Sequence, residues 1–160
     1  MPICGKHRGT VVNNVDPQGI GRIQVSVPDV PGAGSFAMPS LPYAGSGVGF
    51  MFIPPIGANV WVEFEAGNPD LPIWTGCFWG AGDAPAQDPQ TRVFKTDSIT
   101  MTWSDQPGGG FTLIVGPPVS SNTMTLVMNK DGIVIANGAG ASITLVGPTV
   151  NVNSGDLTVT

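Results

Sequence analysis

The sequence predicts an all-β protein in two parts, an N-terminal five-stranded barrel and a C-terminal intertwined trimeric β-prism (a β-helix built by three chains). Three observations predict it. The chain holds 23 glycines and 16 prolines among 160 residues, and inside a helix each glycine costs roughly 1 kcal/mol against alanine and each proline about 3 kcal/mol. Apolar residues recur at every second position in several short runs, the period of a half-buried strand. The runs beyond residue 98 also present an apolar face that no helical segment follows to cover.

The hydrophobic share is 41%, which separates the chain from disordered sequences of similar turn content. The glycines follow no period of three, which excludes collagen. Six basic residues stand against eleven acidic ones, a net charge of −5. Phosphate binding needs a clustered basic face, so nucleic acid is not an expected partner. The first seven residues lack the apolar core of a signal peptide, and the stretch from Val48 to Ile56 is broken by Pro54 and Pro55 and is too short to cross a bilayer. Synthesis in the cytoplasm is the expectation. Cys4 and Cys77 belong to no CxxC pair and are expected as reduced thiols filling apolar space.

The elements follow in order. Val12 and Val15 are assigned to a first strand. The turn Asp16-Pro-Gln-Gly19 follows, where proline presets φ and glycine accepts positive φ. Arg22 to Val27 alternates, with Ile23, Val25 and Val27 on one face. Asn59 to Glu65 alternates again, with Val60, Val62 and Phe64 inward and Glu63 and Glu65 outward. Gly67-Asn-Pro-Asp70 turns out of it, and a last strand runs near Ile73 to Phe78. Five closely spaced strands without a helix predict a barrel of the OB type over residues 1–80. Residues 81–97 are polar and broken by Pro85 and Pro89, and are expected as an extended linker.

Residues 98–160 have four charged side chains, Asp105, Lys130, Asp131 and Asp156. Ile99, Met101 and Trp103 alternate with threonines, as do Met124, Leu126 and Met128 with Thr125 and Val127. Ile143 and Leu145, Val150 and Val152, and Leu157 and Val159 continue the pattern, separated by glycine-rich turns. One layer of such strands is marginal alone, and its edges invite pairing with other chains. Three copies, each forming one wall of a prism, bury the apolar faces and keep Thr, Asn and Ser outside. The expected trimer core is Ile99, Met101, Trp103, Ile143, Leu145, Val150, Val152, Leu157 and Val159. At about 4.8 Å between strands, seven or eight strands make a shaft on the order of 35 Å long.

The ordered motifs resemble a known family, the central spike of contractile injection machines. It includes phage baseplate assembly protein V, the needle-hub OB domain of contractile phages and VgrG-type spikes of type VI secretion. Arg8-Gly-Thr-Val-Val12 with Asp16-Pro-Gln-Gly-Ile-Gly-Arg-Ile-Gln-Val-Ser-Val-Pro28 resembles its opening hairpin. Pro55 to Pro72, closing with Gly76, resembles its second signature, and Arg92 to Asp105 the segment that opens the shaft. The family usually has Gly-Asp-Pro where this chain has Gly67-Asn68-Pro69, a change the turn tolerates. The histidine often found at the start of the shaft is missing between Ser98 and Ile99, and no lysozyme domain is inserted. The paired histidines that hold a metal at the apex of some phage spikes are absent, since His7 is the sole histidine.

The resemblance implies a homotrimer whose OB end joins a hub or baseplate protein and whose shaft makes transient contact with the target membrane. The product would belong to a virion or a phage-tail-like particle. The alternation is still running at Leu157, Thr158, Val159 and Thr160, so a separate PAAR-type tip protein is expected there. No catalytic residue, metal or cofactor is expected. His7 is isolated from any Ser or Cys nucleophile motif. Glu63 and Glu65, about 7 Å apart by strand geometry, mimic a glycosidase pair but read as a solvated face. Gly138-Ala-Gly140 is a turn without the lysine or helix of a phosphate loop. Trp61, Trp74, Trp79 and Trp103 are assigned to core or interface packing rather than base stacking. The alternative function is an OB-fold module for single-stranded nucleic acid or glycan carried on an oligomerisation stalk; a peptidoglycan-degrading enzyme is the third reading.

Overall fold

A computed structural model describes residues 3–159. Every extended element is a β-strand, and the only helical turns are short 3-10 segments at Glu65–Gly67 and Asn153–Gly155 among the described residues. The chain divides into two compact units at Asp83 and Ala84.

The first unit contains β1 (His7–Asn13), β2 (Ile23–Ser26), β3 (Phe36–Pro39), β4 (Ala44–Gly45), β5 (Val48–Gly49), β6 (Asn59–Phe64) and β7 (Pro72–Cys77). Five of them close a barrel in the order β1-β2-β3-β7-β6, while β4 and β5 form a separate hairpin. All barrel pairs are antiparallel except β3 with β7. The expected alternation holds in β2 and β6, where Ile23, Val25, Val60 and Val62 are buried along with Val27 and Phe64.

Trp74 closes this core and donates its indole N–H to the buried Gly21 carbonyl at 3.1 Å, which gives its polar end a partner inside an apolar interior. The Asp16 turn is tied by its own carboxylate. Oδ1 accepts from Gln18 N–H and from the Arg22 guanidinium, and Oδ2 accepts from the Ile20 and Arg22 amides. Arg22 also lies over the Phe36 ring, 4.9 Å from its centroid.

Of the two residues assigned to the first strand, Val12 lies in β1 and faces outward at 52% exposure, whereas Val15 is a correction: it lies beyond β1 in the loop, where its amide donates to the Asn13 side chain. Gly9 and Val11 are the inward positions of β1. The cysteines form no disulfide and are exposed rather than filling the core. Cys77 is the last residue of β7, where the strand leaves the barrel, and partial burial still raises its thiol above the ordinary value.

The second unit is one antiparallel meander of eight strands in sequence order. It comprises β8 (Thr91–Lys95), β9 (Ile99–Ser104), β10 (Gly110–Val115), β11 (Met124–Asn129), β12 (Gly132–Ala136), β13 (Ser142–Val146), β14 (Thr149–Val152) and β15 (Leu157–Val159). Residues 81–97, expected as linker, therefore include a strand. Arg92 and Phe94 pair with Trp103 and Met101 of β9, so hydrogen bonding draws the polar, proline-flanked segment into the sheet. Every buried hydrophobic side chain among the described residues belongs to the barrel. The sheet has no core of its own.

Candidate functional site

Directly opposed residues of an antiparallel pair share a face, so the pairing register assigns every strand residue to one side of the second-unit sheet. On one side, Ile99, Met101 and Trp103 of β9 oppose Val115, Leu113 and Phe111 of β10. These continue to Met124, Leu126 and Met128 of β11, then to Ile135 and Ile133 of β12. Ile143 and Leu145 follow on β13, Val152 and Val150 on β14, and Leu157 on β15. Eight of the nine residues expected in the trimer core share this face; the ninth, Val159, is paired with Val150 along the backbone. Sequence reasoning left Phe94, Phe111, Leu113, Val115, Met124, Leu126, Met128, Ile133 and Ile135 out of that set, although β10 and β11 carry the same period of two.

The apolar face is open. Ile135 is 49% exposed, Ile143 41% and Trp103 40%, although a large apolar side chain on a sheet face normally finds a covering layer. Trp103 and Phe111 are in tilted contact with ring centroids 5.6 Å apart, and contribute a broad aromatic surface at one end. Part of the face forms a groove of about 580 Å³ lined by Leu113, Met124, Leu126, Ile135, Ile143 and Val152. The opposite face carries Thr100, Thr102, Thr112, Thr125, Thr144, Thr149 and Asn151, mixed with Val93, Ile114, Val127, Val134 and Val146. The sheet thus has one side that is apolar from β9 onward, with Arg92 beside Trp103 at its β8 margin, and one that mixes hydroxyl and amide groups with Val and Ile.

Three of the four residues expected at a tip-protein site, Leu157, Thr158 and Val159, form β15 at the other margin of the sheet. Leu157 is 58% exposed on β15, Val159 pairs with Val150 and Thr158 with Asn151 along the backbone, and Thr160 lies outside the described residues.

The barrel's titratable groups do not converge on a reaction centre. Glu63 forms an ion pair with Lys6 at 3.1 Å, and Lys6 also donates to Thr75. Glu65 leaves the strand face it was assigned to, because β6 ends at Phe64 and the chain turns through Glu65–Gly67 with Ala66 at φ 50°. The suspected carboxylate pair is therefore not a strand-face pair. His7 packs edge-on against Phe64, and its buried Nε2 has no hydrogen-bond partner. The rings of Trp61 and Phe78 contact each other, and the Arg8 guanidinium lies over both. No group of three His, Cys, Asp or Glu side chains is placed to hold a metal among the described residues, and no helix there is long and apolar enough to cross a membrane.

Residues 7–79 match the type VI secretion system/phage-baseplate injector OB domain, and residues 91–158 match the phage baseplate V C-terminal trimerisation domain. The chain belongs to the phage baseplate V family. The barrel and the open sheet are thus the two domains of a baseplate V chain, and the second match begins where β8 begins. Among relatives, the type VI secretion system spike protein VgrG5 of Pseudomonas aeruginosa is 39% identical over 72 residues, 42% of this chain and 8% of the relative. The actin cross-linking toxin VgrG1 of Vibrio cholerae is 44% identical over 70 residues, 43% of this chain and 6% of the relative. This baseplate V chain spans less than a tenth of either.

Proposed function

We propose that the chain is a non-enzymatic structural protein, the homotrimeric central spike of a contractile injection machine such as a phage tail or phage-like particle. The observation that supports it is the uncovered apolar face of the eight-stranded sheet, in a segment matching a trimerisation domain. Burying apolar surface contributes about 25 cal/mol per Å². Three such faces turned inward form a dry, intertwined prism with threonine and asparagine outside. The spike's mechanism is mechanical. A ladder of strand hydrogen bonds and a closed apolar interior transmit axial force, and the shaft carries few charges to desolvate as it pierces an envelope.

In this reading the barrel end docks on the hub or baseplate, and a PAAR-type tip protein binds at Leu157, Thr158, Val159 and Thr160. The exposed side chain of Leu157 supports the tip site. The domains are read as barrel, connecting segment and shaft, with assembly into a virion or phage-tail-like particle and no catalytic residue, metal or cofactor. A nucleic-acid or glycan module is disfavoured because Arg8 already covers the faces of Trp61 and Phe78 that stacking would use. The test is the mass of the purified chain in solution by light scattering. Three times the chain mass is expected, and a monomer at micromolar concentration overturns the spike reading.

A further inference from the structure

The loop from β12 to β13 runs Asn137-Gly-Ala-Gly-Ala141, the one place in the chain where an asparagine precedes a glycine. The Asn137 residue is exposed, yet its carboxamide oxygen is held. Oδ1 accepts from the Ala139 amide at 2.9 Å and from the Ala141 amide at 3.0 Å. The Asn137 amide donates in turn to the Ala141 carbonyl at 3.1 Å. Gly138 has φ +69°, and a Cβ there would collide with the Thr123 carbonyl, so the loop is built around bare backbone at that position. Asn137 and Ala141 also line the groove on the apolar side of the sheet, together with Ile135, Ile143 and Val152.

We infer that Asn137–Gly138 is a self-modification site, at which the folded chain deamidates itself and thereby weakens its trimer; the second half rests on the trimeric reading and the first does not. The reaction needs only water. Solvent base removes the Gly138 amide proton, and the nitrogen attacks Asn137 Cγ. An N–Cγ bond forms, and the carbonyl electron pair moves to Oδ1, between two N–H donors already at hydrogen-bond distance. Donors aimed at a developing oxyanion lower the barrier. The Cγ–Nδ2 bond then breaks, and the leaving nitrogen takes a proton from water and departs as ammonia. Water opens the resulting cyclic imide to aspartate or isoaspartate. Other asparagines are worse placed. Asn14, Asn59, Asn122 and Asn151 precede valine or threonine, whose stiff branched side chains crowd the attacking nitrogen. Asn68 precedes Pro69, which has no N–H to lose. Either product adds one negative charge to a chain that already carries −5. In the trimer, three such charges stand at the grooves that turn inward.

The test holds the intact chain folded in mildly alkaline buffer and maps its peptides over time, reading deamidation and isoaspartate at each asparagine. Position 137 is expected to convert at least about tenfold faster than any other asparagine. Ala141→Pro, and independently Ala139→Pro, each removes one donor to Oδ1 and should slow that conversion by about tenfold in the folded chain, with the rate in urea unchanged. A second asparagine that keeps pace in the wild type overturns the site, whether or not the variants fold. A folded variant that converts at the wild-type rate overturns the part assigned to the two amides. Asn137→Asp supplies the charge of the product and keeps an oxygen for both amides. Light scattering over a dilution series should show its trimer dissociating at about tenfold higher concentration or more. An unchanged midpoint overturns the link to assembly and leaves the site standing. A wild-type chain that is monomeric throughout overturns the trimeric reading, while the conversion at position 137 is read on the single chain and is judged separately.

Discussion

Leu145 of β13 stands directly opposite Ile133 of β12 and Val150 of β14 on the apolar face of the sheet, yet it keeps 36% of its surface open. In the proposed trimer, Leu145→Asp would place three carboxylates in one closed interior. Each unpaired buried charge costs several kcal/mol, and three at a symmetry axis also repel one another. The variant should lose the trimer at micromolar concentration, as sedimentation or light scattering would show. A trimeric mutant would mean the other face is the inner one.

Gly132 opens β12 at φ +134°, and a Cβ there would sit 2.0 Å from the Leu145 carbonyl oxygen. Backbone cannot give way by that much without breaking the β12–β13 ladder. Gly140 also has positive φ, +108°, but has nothing within 4 Å of a Cβ. Gly140→Ala should therefore cost about 1–3 kcal/mol from backbone strain alone. Gly132→Ala should cost clearly more, read as a larger loss of urea midpoint. Equal losses would show that the close approach to Leu145 carries no weight.

Trp74→Phe keeps an aromatic ring in the barrel core but leaves the Gly21 carbonyl without its donor. The unsatisfied buried group should cost about 1–3 kcal/mol, while Trp74→Ala adds a cavity and should cost about 3–5 kcal/mol. Urea unfolding followed by circular dichroism would order the two. Because the sheet has its own strands, near-UV signals from Trp103 should change little in Trp74→Phe.

The Arg22 guanidinium, helped by backbone amides, holds the Asp16 carboxyl well below the usual carboxylate range. A folded-state value below the unfolded value of about 3.9 means that the unfolded chain takes up the proton first. This contribution to stability is therefore fully present above the unfolded value and is lost as pH falls through the lower folded one. Asp88, lowered mainly by the Gln90 amide, acts in the same direction. Asp16→Asn should lower stability at pH 7 and flatten the loss of stability below about pH 5, measured as unfolding midpoints across pH 3–7. A mutant curve parallel to the wild type would refute the assignment.

Period-two runs made the strand content of the chain legible, and turn chemistry around Asp16 and Gly67 placed several boundaries. The inward sets of β2 and β6 followed directly, because on a pleated strand one apolar position dictates the next. Glu65 and Val15 were misplaced for one reason. Alternation continues on paper past the residue where the chain turns, and nothing in the letters marks where pairing stops. The strand in residues 91–95 was hidden by its polar, proline-flanked surroundings, since it is defined by its partner β9 more than by its own composition. The β4–β5 hairpin left a signal that could have been used, the absence of charge from Val30 to Val62.

By itself, the sequence determined that the chain is β throughout, that it changes character between a proline-rich first part and a weakly charged second part, and that the second part has one apolar face in want of cover. Those properties are local, arising from residue type and spacing. The tertiary structure decided which five strands close the barrel, how a carboxylate ties the Asp16 loop, and that residues from all eight strands of the meander meet on one continuous open face. Such facts depend on long-range register. A one-residue slip would send alternate side chains to the other side, so only the paired sheet can say which apolar residues stand together and remain uncovered.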